Sequence, residues 1–304
     1  MKKLTYLLAF ALLVSSCKTR YNSNAMEQAT FPSFSAEAHR GGRGLMPENT
    51  IIAMQNAMTM DHITTLEMDT HITKDNQVVV THDDYLSPGF MLTPEGKEIP
   101  KADAKKYAIF KMDYAELKKF DIGTKINTSF PKQQKVKTYI PLLADLITSV
   151  QQEIKAKGKK QLFYNIETKS SENGDGITNP SPEIFVELLM KVIEQNKIMP
   201  YVVIQSFDKR TIQLIHKKYP AVRTSFLVDN KKTYEENMAD LGYKPFILSP
   251  NAKMVDSELI KKAHADGIKV VAWTANTTEE ITRLKSLGAD GIITDYPNLL
   301  GAEQ

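Results

Sequence analysis

Short apolar runs rich in β-branched residues alternate along most of the chain with longer segments whose apolar positions recur at helical spacing. The short runs end near His39, Asp69, His82, Glu167, Ser206, Val228, Ser249, Trp273 and Thr294. Such alternation predicts a parallel α/β sheet. One pair of runs breaks the rule. Between "TLEMDTHIT" and "VVVTHD" lies only "KDNQ", and a parallel crossover needs a dozen or more residues. These two runs therefore form a hairpin, and one of them is extra to the parallel set. The eight βα units that remain suit a closed (β/α)8 TIM barrel, with "ADGIITDYP" as the last strand pairing with the first. The alternative is an open doubly wound sheet. No G-x-G-x-x-G follows the first run, and "GGRG" has the wrong spacing for a dinucleotide site.

The helical segments carry their own punctuation. Residues 181–196 open with Ser181 as a candidate cap and Pro182 in the first turn. Residues 256–267 run from Asp256 to Gly267, and residues 277–288 from Thr277 or Thr278 to Gly288. The rhythm fails between His82 and "IPLLADLITSVQQEIKA". A structureless loop of that length is foreign to a compact domain. An insertion subdomain over about 85–135, with a short helix at 113–119, is expected at the mouth of the barrel.

The amino-terminal pattern is of another kind. "MKK" is basic, "LTYLLAFALLV" is apolar but too short to span a bilayer, and Ser15 and Ser16 precede the single cysteine, Cys17. Residues 1–16 are expected to be a lipoprotein signal peptide. Cys17 is the expected lipidation site, and 17–34 a flexible tether without apolar periodicity. The lipid would anchor the protein to a membrane of the cell envelope, in a periplasmic or surface-facing position. The folded body would span 35–304. The chain has 39 basic and 36 acidic residues, interspersed, so no basic stripe suggests a nucleic-acid partner. "KAKGKK" (155–160) reads as a solvated helix end.

In a barrel, reactive groups gather at the carboxyl ends of the strands. Those ends here carry His39 and Arg40, Glu67 and Asp69, His82 and Asp83, Glu167 and Lys169, then Gln205, Ser206, Trp273 and Asp295. Residues i and i+2 of a strand share a face, so Glu67 sits with Asp69 and Glu167 with Lys169. Carboxylates crowded out of water raise one another's pKa. A divalent cation relieves that cost, and oxygen ligands suit Mg2+ or Ca2+. Arg40 can fork a phosphate and Lys169 can face it as a point charge. His39 and His82 can serve as base and acid. Taken singly, each residue has a plainer reading: Glu67 and Asp69 a solvent-facing strand, His82 structural, Lys169 surface. The set at successive strand ends carries the functional one.

With these residues placed, the chain resembles the glycerophosphodiester phosphodiesterase family over roughly 36–300. The motifs are "AHRGG…PENT", "LEMDTHITKDNQVVVTHDD", "IPLLADLI", "YNIETK", "VIQSFD", "VVAWTAN" and "GADGIITDYP". The resemblance implies a (β/α)8 barrel with an insertion after the second strand. It also implies metal-dependent hydrolysis of glycerophosphodiesters to glycerol 3-phosphate and an alcohol. It assigns His39 and His82 as the acid/base pair, Glu67, Asp69 and Glu167 as metal ligands, and Arg40 and Lys169 as phosphate contacts. Glu48 is a further candidate near metal or substrate. A substrate hydroxyl would attack first, giving a cyclic phosphate that water opens. Gly41, Gly42 and Gly44 are expected to let backbone approach the ligand, and Asn49 or Thr50 to cap the next helix.

The sequence departs from the family pattern at Arg43 and Met46, and throughout the insertion. Phe90, Met91, Tyr107 and Phe110 there are candidates for substrate contact or for the subdomain's core. Trp273 could stack on the glycerol or pack the barrel. Two other functions compete: action on lysophospholipids or sugar-linked phosphodiesters, and a surface-anchored binding protein without catalysis.

Overall fold

The computed structural model describes residues 28–301; the leader, Cys17 and the first part of the tether lie outside the described residues. Nine strands form one sheet among the described residues: β1 (Ser35–Ala38), β2 (Thr65–Ile72), β3 (Val78–Val80), β4 (Phe163–Thr168), β5 (Val202–Ser206), β6 (Arg223–Val228), β7 (Ile247–Pro250), β8 (Lys269–Trp273) and β9 (Gly291–Thr294). β1 pairs in parallel with both β2 and β9, which closes the sheet. The fold is a (β/α)8 barrel, and the doubly wound alternative is excluded. β3 is the extra strand. It pairs antiparallel with the end of β2, Thr70 opposite Val80, through the short turn at 73–77.

The outer helices are α1 (Ile51–Ala57), α3 (Leu143–Lys157), α4 (Pro182–Gln195), α5 (Lys209–Lys218), α6 (Tyr234–Leu241), α7 (Ser257–Ala265) and α8 (Thr278–Leu287), with the short α2 (Tyr114–Leu117) in the insertion. Asp256 and Thr277 accept the amides of Leu259 and Glu280 as caps. Ser181 occupies the cap position of α4 but makes no side-chain cap bond. Thr50, not Asn49, caps α1, taking the amide of Ala53.

Even-numbered strand residues such as Leu66, Met68, Tyr164, Ile166, Ile204 and Val270 join the helices in the main core. Odd-numbered residues fill the barrel, and that interior is divided. Val203, Ile247, Val271 and Ile293 make one apolar patch. Ser35, Glu37, Thr65, Asn165 and Gln205, all buried, make the other half polar. The amino-terminal end of the barrel is closed by Phe31, whose ring meets Phe163 and Phe246 edge-on at 5.1 and 5.2 Å, with the Arg223 guanidinium 5.2 to 5.9 Å from all three rings. Residues 28–34 therefore belong to the packed body and not to a free tether. Isolated aromatic anchors do this, and they leave no periodic trace in the sequence.

Between β3 and α3 the chain builds a subdomain with its own apolar core, including Leu86, Met91, Ile99, Ile109, Leu117, Phe120 and Ile140. Phe90 and Tyr107 pack against that core.

The buried Glu37 yields a stability prediction. Burial pushes its carboxyl up to about 7, opposed by donors from Asn165 and Ser35. In the unfolded chain it ionises in the ordinary carboxylate range, near 4.5. Its contribution to stability is therefore complete below that range and falls as pH rises towards 7. Above 7 the loss is on the order of 3 kcal/mol. Glu37→Gln should be increasingly more stable than wild type between pH 5 and about 7, read by denaturant midpoints across pH. Parallel curves would show that Glu37 ionises alike in both states.

Candidate active site

At the end of β1 the backbone turns sharply. Arg40 takes a left-handed conformation (φ 51°), followed by Gly41 and Gly42 at 77° and 88°. This turn aims the Arg40 amide at Glu67 Oε2, 2.7 Å away. It also brings the Arg40 guanidinium between two acids, with Nη1 2.8 Å from Glu48 Oε1 and Nε 3.2 Å from Asp69 Oδ2. The glycines are required by packing. A Cβ on Gly41 would meet Ala53 at 2.7 Å, one on Gly42 would meet Pro297 at 2.7 Å, and one on Gly44 would collide with the Tyr296 ring. They let the turn pack on α1 and on the segment after β9.

Asn49 also adopts a left-handed backbone, φ 57°. Its Nδ2 donates to Asp69 Oδ2 (2.8 Å) and its Oδ1 accepts the Asp69 amide (3.2 Å). A residue read only as a cap candidate thus braces a carboxylate.

Glu67, Asp69 and Glu167 each offer an oxygen, and these oxygens lie within 4.8 Å of one another, all on buried residues. Their electrostatics diverge. Burial, then the charge of Asp69, pushes the Glu67 carboxyl well above its ordinary value. Burial raises Glu167 too, against the pull of Lys169. Burial opposes ionisation of Asp69 as well, but the neighbouring charge of Arg40, then those of His82 and Lys169, hold it below the usual carboxylate range. The cluster is short of positive charge. Buried hard-oxygen donors in that condition fit a divalent cation such as Mg2+ or Ca2+.

His39 faces this cluster. Its Nδ1 lies 2.5 Å from Asp295 Oδ1 and its Nε2 4.0 Å from Glu67 Oε2. Burial, partly countered by the bond to Asp295, lowers the imidazole to about 4. Asp295 stays ionised: burial raises it, but the hydrogen bond from His39 and the charges of His39 and Arg43 hold it down. This places the proton on Nδ1, donated to Asp295, and leaves Nε2 as an acceptor. Asp295 also accepts from Arg43 Nε (2.7 Å) and Asn276 Nδ2 (2.7 Å).

His82 lies on the far arm of the β2–β3 hairpin. Its Nδ1 is 2.7 Å from Asp83 Oδ1, and its Nε2 is 3.2 Å from Lys169 Nζ. Lys169 Nζ also donates to Glu167 Oε1 at 2.9 Å.

His39, Arg40, Glu67, His82, Glu167 and Lys169 all line one cavity of about 100 Å³. Trp273 closes one side, its indole donating to Ser249 O (2.9 Å) and its ring meeting Phe207 edge-on at 5.3 Å. Asp69 and Glu48 brace the floor through Arg40. None of Phe90, Met91, Tyr107 and Phe110 lines this cavity. Arg43 and Phe207 do line it, and sequence reasoning gave neither a role. Asp295 and Gln205 were visible as strand-end residues, but nothing local told that they hold His39 and Glu67. A larger groove of about 320 Å³ near the starts of α6 and α7 carries lysines among mixed polar residues and no such cluster.

The crowding makes a prediction about cation binding. Glu67→Gln removes a buried charge but sets an amide nitrogen against the Arg40 amide or Gln205 Nε2, so its effect on stability without a cation is small while its effect on cation binding is large. Added Mg2+ or Ca2+ should raise the wild-type melting temperature by mass action but shift that of the variant much less. Equal cation shifts in the two proteins would remove Glu67 from the binding set.

The comparisons agree with this geometry. The glycerophosphoryl diester phosphodiesterase family model matches residues 39–299. A glycerophosphodiester phosphodiesterase of Caldanaerobacter subterraneus subsp. tengcongensis is 29% identical over 263 residues, covering 86% of this chain and 94% of that protein. The rat lysophospholipase D GDPD1 is 30% identical over 286 residues, covering 86% and 83%. A solved structure from Silicibacter pomeroyi DSS-3, assigned as a glycerophosphoryl diester phosphodiesterase, superposes with a TM-score of 0.77 at 25% identity, covering 90% of this chain and 93% of that one. The Oleispira antarctica phosphodiesterase solved with sn-glycerol-3-phosphate shares the fold, with a TM-score of 0.67 at 23% identity and 88% and 95% coverage. With the match spanning the barrel from His39 to the segment after β9, the chain belongs to the glycerophosphoryl diester phosphodiesterase family.

Proposed function

We propose that this protein hydrolyses glycerophosphodiesters to glycerol 3-phosphate and an alcohol, with His39 and His82 as the acid/base pair. The observation that carries the reading is the pairing at His39. Asp295 locks Nδ1 while Nε2 stays free beside the carboxylate cluster. A fixed neutral imidazole with one open nitrogen is a proton acceptor waiting for a hydroxyl. His82 lines the same cavity, with Asp83 holding its other nitrogen, and suits protonation of the leaving alkoxide. Lys169 and Arg40 present positive charge that is already desolvated and held by carboxylates, so little reorganisation is needed when a phosphate enters. Trp273 and Phe207 give the cavity an apolar wall for the carbon skeleton.

Glu67, Asp69 and Glu167 would hold the divalent cation, Mg2+ or Ca2+. When bound, it supplies Lewis-acid stabilisation of negative charge on phosphate oxygens.

A second substrate class has specific support. Phe207 is 46% exposed beside the cavity, and relatives at 28–30% identity are named lysophospholipase D. An acyl chain could lie against that ring.

For location we propose a cell-envelope lipoprotein held through Cys17. Phe31 and Gln28 place the start of the described chain at the end of the barrel opposite the cavity, Gln28 bonding Ala221 O. An anchor attached there leaves the mouth open to soluble diesters. Cys17→Ser should move the protein from the membrane to the soluble fraction; an unchanged distribution would discard the anchor.

The catalytic test is release of glycerol 3-phosphate from glycerophosphocholine, glycerophosphoethanolamine and glycerophosphoinositol, beside lysophosphatidylcholine, with Mg2+, Ca2+ or EDTA. Deacylated diesters should be cleaved, and EDTA should stop the reaction. His39→Ala and His82→Ala should each lower kcat by about 10²-fold or more while folded. Wild-type turnover in folded His39→Ala would refute its role. Turnover of lysophosphatidylcholine alone would favour the acyl reading.

A further inference from the structure

Directly below the carboxylate cluster the barrel interior is polar, where such barrels ordinarily pack branched apolar side chains. The polar side chains form one continuous line. Ser35 Oγ donates to Glu37 Oε1 at 2.8 Å. Asn165 Nδ2 donates to Glu37 Oε2 at 2.7 Å and to Gln205 Oε1 at 3.1 Å. Gln205 Nε2 then donates to Glu67 Oε1 at 2.9 Å. Glu37, Asn165, Gln205 and Glu67 are all at most 2% exposed. Strand register makes the line continuous: Asn165 lies opposite Glu67, and Gln205 opposite Glu167.

The line has a direction. An amide side chain has a donor end and an acceptor end of nearly equal shape, so either could face a neighbour. Glu37 removes the ambiguity when ionised: its Oε2 then only accepts, and Asn165 presents nitrogen to it. That nitrogen also faces Gln205, which must then present oxygen. Gln205 is left with its nitrogen towards Glu67. The reverse orientation would set a carbonyl oxygen against a carboxylate oxygen. The Asn165 Oδ1 has no protein partner. A mere space-filler would be expected to satisfy that oxygen or dispense with it, whereas setting the direction needs only the nitrogen.

Glu67 is thereby held at both oxygens, Oε1 by Gln205 and Oε2 by the Arg40 amide. We infer that Glu37, Asn165 and Gln205 form an orienting relay that presents Glu67 to a divalent cation. They are positioning residues and none of them touches substrate. The inference rests on the proposed cation site.

The test is Mn2+ binding to the purified full chain, by electron paramagnetic resonance and calorimetry, with thermal melting as a check of folding. Mn2+ is chosen because it favours oxygen ligands. Glu37→Leu should weaken Mn2+ binding by about tenfold or more, the scale at which outer partners of metal ligands act. Glu37→Gln keeps an acceptor for Asn165 and a donor for Ser35, and should bind as wild type does. Because the relay acts in series, the double variant Glu37→Leu/Gln205→Leu should bind no more weakly than Gln205→Leu alone. Independent sites would add. Should Glu37→Leu fail to fold, Asn165→Leu cuts the same line and is read the same way. Wild-type affinity in a folded Glu37→Leu or Asn165→Leu protein, or full additivity in the double variant, overturns the relay. A wild-type protein that does not bind Mn2+ overturns the cation site itself, a result distinct from a failed relay.

Discussion

Three carboxylates share one buried mouth with few positive charges, and much of the nearby structure follows from keeping them there. The turn after β1 is an instance. With a left-handed backbone, Arg40 gives its amide to Glu67 and sets its guanidinium against Asp69 and Glu48. A left-handed non-glycine residue is uncommon and costs free energy. Here two charge-assisted contacts offset that cost. The tight packing of Gly41 on Ala53 and of Gly42 on Pro297 then admits no side chain at either position. The motif "HRGG" is thus one device: a histidine, an arginine bent back on the acids, and two residues that must lack a Cβ.

The same constraint divides the barrel interior. The side under the carboxylates is lined by groups that hydrogen-bond, and the side under Trp273 by Val203, Val271 and Ile293. Placing apolar residues under Glu67 would leave one of its oxygens to face a low-dielectric wall. An unpaired buried polar group costs free energy, and here most of the polar side chains are paired with one another in a connected line.

The fold was largely legible because its signals are local and periodic. Each strand end read from hydrophobic runs lies within a few residues of the observed one, and the hairpin followed from the four residues "KDNQ" between two apolar runs. The charged residues at the mouth were legible for a related reason: strand ends in a barrel converge. What escaped were contacts fixed by distant chain. Asn49 reaches Asp69 because its backbone is left-handed, which no spacing reveals. Asp295 meets His39 across 256 residues, and Gln205 meets Glu67 across 138. The packing role of the glycines escaped similarly. Their neighbours are Ala53, Pro297 and Tyr296, two of them from the other end of the chain. Residues 28–34 were misread because a few aromatic anchors suffice to seal the barrel.

The insertion has consequences for His39 that its distance in sequence conceals. Phe130 lies under the Arg43 guanidinium at 4.7 Å, Gln133 donates to Arg43 O at 2.8 Å, and Gln134 donates its amide to Leu45 O at 2.8 Å. Arg43 in turn holds Asp295, and Asp295 holds His39. A change in the insertion therefore reaches the imidazole through Arg43 and the two hydrogen bonds that join it to Asp295 and His39. Arg43 suits this linkage because its planar guanidinium can meet a ring on its face while its edge serves a carboxylate. A lysine has no such second surface. The insertion supplies the ring, and Arg43 links it through Asp295 to His39.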